Sequence, residues 1–413
     1  MLTVVQINSV CGIGSTGRIA TEIHHALSEN SYKSYIAYGR GLSKNCENTI
    51  RIGSNYDNYL HVGLTRVFDK HGFGSVKATK AFIKTLEEIN PDIIHLHNIH
   101  GYYLNVEILF KFLKEINKRV IWTLHDCWAF TGHCSHFEFI GCNKWKTGCF
   151  DCPEKKEYPT SFIMDNSEIN FLKKKELFIG VKDLTIITPS KWLGNLVKQS
   201  FLNNYPTKVI HNGINLDIFK PTISDFREKY KLKNKFIILG VANVWNRKKG
   251  LNHFIELVNN LEKDEVIVLV GLTEKQMKEL PKQIIGIPLT NSINDLAEIY
   301  SAADVFVNPT LEDNFPTTNI EALACGTPVF TFNSGGSTES IDETCGRIIN
   351  PKNTIGIIDC LKTYRTNNLI NSSDCINRAK QYNRQNQYNR YLELYLKEGI
   401  ESESLVLPSN LGS

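Results

Sequence analysis

The stretch "TLEDNFPTTNIEALACGTPVF", residues 310–330, carries two acids, Asp313 and Glu321, with seven residues between them. "DVFVNPT" just ahead reads as a buried strand, so the pair falls where a parallel sheet ends and a helix begins. That edge is where doubly wound folds hold their ligands. Pro316 suits the first turn of a helix, where a missing N–H costs nothing, and Gly326 followed by Pro328 stops it. Free N–H groups at the helix start favour phosphate, and the Thr317 and Thr318 hydroxyls add donors. Glu321, about one turn on, can accept from ribose hydroxyls, and Asp313 from another polyol. A nucleoside diphosphate joined to a sugar presents all of these groups at once. Taken alone, the two acids equally fit a helix whose dipole favours nearby negative charge.

Three further segments carry candidate chemistry. "VANVWNRKKG" places Arg247, Lys248 and Lys249 ahead of Gly250, after another strand. A departing diphosphate gains negative charge, so fixed cations aimed at it lower the barrier; the plain alternative is a solvated basic turn. "SVCGIGSTGRIATEI" follows the first strand and opens a helix, which makes Gly14, Ser15, Thr16 and Gly17 candidates for a phosphate loop. A dinucleotide site would add an acid about twenty residues on, and none is clear at the end of "SYIAYGRG". His125 in "TLHD" ends the fourth strand, at the ligand edge. In "HLHNIH" strand alternation puts His95 and His97 on one face, with His100 beyond them. No partner acid is evident, so these read as ordinary strand-end histidines in preference to a metal cluster.

"CWAFTGHCSHFEFIGCNKWKTGCFDCP" gathers five of the eleven cysteines: Cys127, Cys134, Cys142, Cys149 and Cys152. The Cys149-x-x-Cys152 pair has zinc-knuckle spacing, and Cys134 and Cys142 complete a four-thiolate set, with His133 or His136 able to replace one member. Such a closed site is structural and would stiffen a loop. Free buried thiols, or a disulfide formed on isolation, are the alternatives.

These groups need elements to hold them. "TVVQIN", "SYIAYG", "DIIHLHN", "RVIWTLHD" and "LTIITPS" read as buried strands in the first half, and "KFIILGVAN", "EVIVLVGL", "QIIGIPL", "DVFVNPT" and "TPVFTF" in the second. Helical patterns alternate with them, which predicts parallel sheets covered on both faces. At 413 residues the chain is too long for one ordinary core. The division predicted is α/β throughout: a Rossmann-like domain over 1–210 with the cysteine insert at 127–153, and a second over 211–380. Asn-Gly, Asp and Pro punctuation in "VIHNGINLDIFKPTISDF" marks the boundary. "SSDCINRAKQYNRQNQYNRYLELYLKEG" reads as one long helix, its part at 381–400 crossing to the first domain, and "ESESLVLPSNLGS" as a frayed end.

Composition bounds the class. With 42% hydrophobic and 22% charged residues the chain is globular, and a net charge of +4 does not point to nucleic acid as a partner. "MLTVVQINSV" lacks the basic start and apolar core of a signal peptide, and no apolar run approaches a membrane span. A cytoplasmic protein is expected, its cysteines thiols or metal ligands. The lysine triplet at 173–175, beside Phe171, Leu172 and Leu177, suits either the anionic inner face of the cell membrane or a solvated helix face.

With the elements in order, "EDNFPTTNIEALACGTPV" resembles the acid–seven–acid motif of the retaining glycosyltransferases of family 4, which have the GT-B fold. "GIGSTGR", "PDIIHLH", "TLHDCW", "ITPSKWLGNLV", "VIHNGINLDIF", "RKKGL" and "YSAADVFVNPT" match in the same order, so the resemblance spans nearly the whole chain. In style it is similar to bacterial surface-polysaccharide transferases, of capsule, O-antigen or exopolysaccharide type. Two departures stand out: the first acid is Asp313, with Glu312 beside it, and Asn243 occupies the place usually held by an arginine.

The resemblance implies a hexosyl transfer with retention, from a nucleotide diphosphate sugar to a glycan or lipid-linked acceptor. It implies His125 beside the transferred sugar, through its side chain or its carbonyl, and Asp313 on the sugar hydroxyls. Lys249 would hold the diphosphate, with Arg247 replacing the arginine missing at Asn243. Gly14, Ser15, Thr16, Gly17, Lys248, Phe315, Pro316, Thr317, Thr318 and Glu321 complete the donor side, with the base near "GIPLT". No covalent nucleophile stands out, and no metal cofactor is required for catalysis where Arg and Lys neutralise the diphosphate. Two rivals of other classes are a nicotinamide-dependent oxidoreductase with two Rossmann domains and a catalytically silent binding partner.

Overall fold

The computed structural model describes residues 1–367 and 370–396. Seven strands form the first sheet: β1 (Thr3–Asn8), β2 (Lys33–Tyr38), β3 (Thr49–Arg51), β4 (Ile93–Leu96), β5 (Arg119–Thr123), β6 (Leu184–Thr188) and β7 (Thr207–Val209). Six form the second: β8 (Phe236–Val241), β9 (Glu265–Val270), β10 (Ile284–Ile287), β11 (Val305–Asn308), β12 (Val329–Phe332) and β13 (Gly346–Ile349). Both sheets are parallel throughout, in the orders β3-β2-β1-β4-β5-β6-β7 and β10-β9-β8-β11-β12-β13. These are two Rossmann-like sheets in an α/β fold. Chain order reverses between β1 and β4 and again between β8 and β11. Loops leaving those strands part in opposite directions and open a crevice at the carboxyl ends.

Short apolar runs became central strands because helices cover both faces. Val4, Val5, Ile7, Ile94, Val120, Ile121, Ile238, Leu239, Val268 and Phe306 are fully buried, and each contributes about 1.5–3 kcal/mol by leaving water. β3, β7 and β13 escape the sequence reading. The first two are three residues long and none of the three is a continuous apolar run, so only pairing to a neighbour defines them. His125 therefore follows the fifth strand, not the fourth.

The expected long C-terminal helix is two: Ser372–Lys380 and Arg384–Leu396. Between them Tyr382 O accepts from Ile214 N and Arg384 N donates to Ile214 O, both at 2.9 Å, which takes those groups out of a helical ladder. Beyond that break, Tyr388, Tyr391, Leu392 and Tyr395 join Val4, Ile19, Ile23 and Ile121 in one apolar cluster on the first sheet. Tyr395 OH meets His95 Nδ1 at 2.6 Å, so His95 is a core histidine tied to the last helix. The tail expected to fray, from Glu401, lies outside the described residues.

The lysine triplet is split: Lys173 and Lys175 are exposed on helix Ser167–Phe178, and the residue between them turns inward. Lys174, in helix Ser167–Phe178, is buried, with Nζ donating to Trp128 O at 2.9 Å and Thr131 O at 3.0 Å and lying 3.4 Å over the Trp128 ring. Burial lowers its pKa to about 7. Among the described residues no helix is long and apolar enough to cross a membrane.

Candidate functional site

The acid loop runs from the end of β11 to helix Thr317–Ala324, with Pro316 as the residue before the helix, φ −68° and ψ 117°. The proline thus stands just outside the first turn where the sequence places it. Thr317 and Thr318 open the helix, where backbone N–H groups lack helical partners, and both residues line the interdomain cavity. Leu311 N donates to Lys248 O at 2.7 Å and Gly336 N to Asp313 O at 3.1 Å, so the loop is held from both sides. Gly335 has φ +56°, and a Cβ there would lie 1.8 Å from Asp313 O. Only glycine lets that strand-end turn approach the acid loop.

A cavity of about 590 Å³ opens between the two domains. Asp313, Phe315, Pro316, Thr317, Thr318 and Glu321 line it, so the whole acid segment faces one space. Asn243 and Lys249 border it from the loop after β8, and Ser15 from the first domain. Lys249 Nζ lies 2.5 Å from Asp313 Oδ2, which pairs the cation with the first acid. Glu321 accepts from Tyr300 OH at 3.1 Å. Burial pushes the Glu321 pKa up, against the Tyr300 hydroxyl, the Arg18 charge and the Thr317 hydroxyl. Leu289 and Thr290 of "GIPLT" also line the cavity.

Other expected members stand elsewhere. Arg247 lies with its guanidinium 5.3 Å over the Phe139 ring. Lys248 Nζ sits between Glu154 Oε2 at 2.5 Å and Glu312 Oε2 at 2.9 Å, outside the cavity lining. Gly14 starts helix Gly14–Glu29 with φ +66°, and Gly17 packs under the preceding loop, where a Cβ would meet Val10 Cγ2 at 3.0 Å. Neither these glycines nor Thr16 borders the cavity, to which the glycine loop contributes Ser15.

His125 lies beside a smaller neighbouring cavity with His97, His100 and Asp126. Its tautomer follows from a relay. Gln6 Nε2 donates to Ala20 O at 3.0 Å, so Gln6 Oε1 takes the Nε2–H of His97 at 3.0 Å. His97 Nδ1 then accepts from His125 Nε2 at 3.1 Å. His125 is left with an Nδ1 lone pair that can accept from a hydroxyl. Burial lowers its pKa to about 4, so the ring is neutral at neutral pH. The His125 carbonyl accepts from Asn314 Nδ2 at 3.1 Å. Asp126 is partly buried, which disfavours its charge, yet His100 Nε2 at 3.0 Å holds its pKa down at about 2.

The cysteine segment leans on the second domain. Gly335 N donates to Glu138 Oε1 at 2.9 Å, and Phe139 N to Glu312 Oε1 at 3.0 Å. Cys134, Cys142, Cys149 and Cys152 line one small cavity, and Cys134 and Cys152 share a hydrogen bond that lowers the Cys152 pKa to about 7. Cys149 Sγ accepts from Gly132 N at 3.2 Å, and burial pushes its thiol up to about 11. Among the described residues no group of three or more His, Cys, Asp or Glu is gathered in metal-holding geometry. His133 Nδ1 is engaged by Asp69 Oδ1 at 2.5 Å.

Sequence reasoning passed over Arg18, Asn246 and Asn314. Arg18 borders the cavity from the first domain, Asn246 from the second. Arg18 stands four residues after Gly14 on a helix that opens at the sheet's carboxyl edge, a spacing visible in "GSTGR".

Residues 16–218 match the family model described as Glycosyltransferase Family 4, and residues 235–367 the one described as Glycosyl transferases group 1. A protein of Escherichia coli (strain K12) named as a colanic acid biosynthesis glycosyl transferase, WcaC, is 23% identical over 383 residues, 87% of this chain and 90% of that protein. The UDP-Gal:alpha-D-GlcNAc-diphosphoundecaprenol alpha-1,3-galactosyltransferase of Escherichia coli is 29% identical over 200 residues, 43% of this chain and 51% of its own length. The sucrose-phosphate synthase of Thermosynechococcus elongatus shares the fold, with a TM-score of 0.72 at 18% identity over 96% of this chain and 98% of that one. Neither family match is to an oxidoreductase, and that rival reading finds no support. With two facing Rossmann-like sheets of GT-B type and family matches on both, the chain belongs to the family 4 glycosyltransferases.

Proposed function

We propose that this glycosyltransferase moves a hexosyl group, with retention, from a nucleoside-diphosphate sugar to a glycan or lipid-linked acceptor in bacterial surface-polysaccharide synthesis. The observation that carries the reading is the acid segment, with Asp313 and Glu321 flanking a helix start that faces the 590 Å³ cavity. Glu321 accepts from the ribose hydroxyls, and the helix start with Thr317 and Thr318 receives the phosphates. Lys249 holds Asp313 in position and offsets charge on the departing diphosphate. His125, neutral, accepts from a sugar hydroxyl through Nδ1. The acceptor oxygen attacks the anomeric carbon as its bond to the diphosphate oxygen breaks, and the acceptor's proton leaves on that phosphate. The relatives named for colanic acid synthesis and for a diphosphoundecaprenol acceptor support the acceptor class.

Release of nucleoside diphosphate from a panel of UDP-, GDP- and ADP-sugars tests the reading. One sugar nucleotide slowly hydrolysed by the wild type, and not by Glu321→Ala, is the expected result. No binding and no release with any member would sink the assignment. Tight binding with no turnover in acceptor extracts would favour a catalytically silent partner.

Two features of the first domain belong to the same reading. A structural zinc in the insert rests on the spacing of Cys134, Cys142, Cys149 and Cys152, which line one cavity but are not gathered as a metal-holding set, so the thiolates would have to draw together to bind it. Metal analysis of purified protein giving less than about half an equivalent of zinc would remove it. Tyr56, Tyr59 and Leu60 are exposed on helix Asn55–Phe68, and Phe162 and Ile163 are exposed where their loop meets the C-terminal end of that helix at Arg66. Phe162 N donates to Arg66 O at 2.8 Å and Arg66 lies 5.2 Å over its ring, so apolar and cationic groups share one surface suited to the inner face of a membrane.

A further inference from the structure

A diphosphate leaving group carries more charge than one lysine offsets, and the expected second cation is missing from its place, where Asn243 stands. The structure removes its sequence-level substitute as well. Arg247 lies on the Phe139 ring, and Lys248 is held between two carboxylates. Lys249 faces the cavity, paired to Asp313. Among the described residues, the other cationic side chain lining that cavity is Arg18, which stands on the opposite domain.

Several observations converge on this residue. Arg18 is exposed in the first turns of helix Gly14–Glu29, with Nε donating to Gly14 O at 3.3 Å. That bond steers the guanidinium back toward the helix start, at the crevice. Its charge reaches Glu321 across the cleft and favours the ionised carboxylate there. Ser15, one turn earlier, lines the same wall.

We propose that Arg18 is the second diphosphate cation, delivered to the donor from the facing domain. The inference rests on the nucleotide-sugar reading above. Lys249 and the helix start at Thr317 belong to the second domain and can receive the donor in an open cleft. Arg18, on the facing domain, reaches the phosphates only with the two domains together, as they stand in this structure. Cleavage of the sugar–phosphate bond is then coupled to closure, and an open enzyme with bound donor hydrolyses it little.

The test uses the full chain with Arg18→Ala and Arg18→Lys, alongside Lys249→Ala and the wild type. Nucleoside diphosphate release is followed on the sugar nucleotide selected by the panel, and UDP, GDP and ADP binding by calorimetry. Arg18→Ala is expected to lower kcat by about 10²- to 10³-fold, the loss typical of one missing charge-stabilising donor, with less than about tenfold change in nucleotide Kd. Added guanidinium, or the lysine variant, recovers part of that loss, which repair of a merely structural role would not. Arg18→Ala within about threefold of wild-type kcat, or a loss that neither guanidinium nor lysine recovers, overturns the proposal. Wild type that binds no nucleotide overturns the donor-site reading itself and takes Arg18 with it. Lys249→Ala inactive beside a fully active Arg18→Ala leaves the donor site standing and removes only Arg18.

Discussion

Asn314 Nδ2 donates to the backbone carbonyl of His125 at 3.1 Å, while Asn314 Oδ1 accepts from Ser190 Oγ at 2.6 Å. One side chain of the acid loop thus bonds two loop ends of the facing sheet. It fixes the distance between the sugar-side histidine and the acid pair. It also engages one lone pair of the His125 carbonyl, the group that the sequence reading offers to the reacting carbon as an alternative to the ring. Asn314→Ala removes both bonds and leaves the His125 carbonyl unpaired, at a cost of about 1–3 kcal/mol. Thermal unfolding should register that loss. Donor turnover should fall more than nucleotide affinity, because the misplacement affects geometry across the cleft.

Lys248 and Lys249 are adjacent in sequence and separable by experiment. Lys248 sits between Glu154 and Glu312, whose side chains are 7% and 3% exposed. Lys248→Ala leaves those carboxylates without their cation, and about 3–5 kcal/mol of stability is expected to go. Lys249→Ala touches a pair that is 37% and 22% exposed and should leave the melting temperature within a few degrees while turnover collapses. Calorimetric unfolding of the two variants beside their turnover decides this; the reverse pattern would exchange their assignments.

Stability should fall with pH over a defined window. Burial lowers His61 from 6.5 to about 4 and His95 to about 3, and it lowers His71 and His97 well below 6.5. A histidine kept neutral in the fold binds fewer protons there than in the unfolded chain. Its contribution is complete above 6.5, the unfolded value, and is lost as pH falls toward the folded value. A single site of this kind is worth up to about 3 kcal/mol. Denaturant midpoints measured from pH 7 down to 4 should drop steeply, whereas any rise above pH 7 reports the buried Lys174 amine, lowered to about 7, and not the histidines. A flat profile across pH 4 to 7 would contradict the neutral buried ring system.

The exposed apolar surface makes a measurable claim. Phe162 and Ile163 are 67% and 65% exposed. Phe162→Ser with Ile163→Ser should weaken cosedimentation with phosphatidylglycerol vesicles by about tenfold or more, since each inserted apolar side chain carries about a kilocalorie or two. Raised salt should weaken wild-type binding further by screening Arg66 and its neighbours. Equal pelleting of variant and wild type would remove this face as the contact.

Sequence alone determined the local features here. Strand–helix alternation required two parallel sheets, because "TVVQIN" and "KFIILGV" are too apolar to face water on either side. Asp313, Pro316, Thr317 and Glu321 lie within one strand–loop–helix unit, so their common direction was set by spacing along the chain. Tertiary structure decided what depends on elements distant in sequence. Whether Arg247, Lys248 or Arg18 faces the donor turns on Phe139, Glu154 and Glu312, which come from other segments and share no local pattern with the basic run. The protonation of His125 depends on Gln6 in β1 and His97 just after β4, and the break in the last helix on Ile214. Local periodicity constrains neighbours along the chain. Hydrogen bonds and ion pairs between chain segments, which set the chemistry of the cleft, exist only once the sheets face each other.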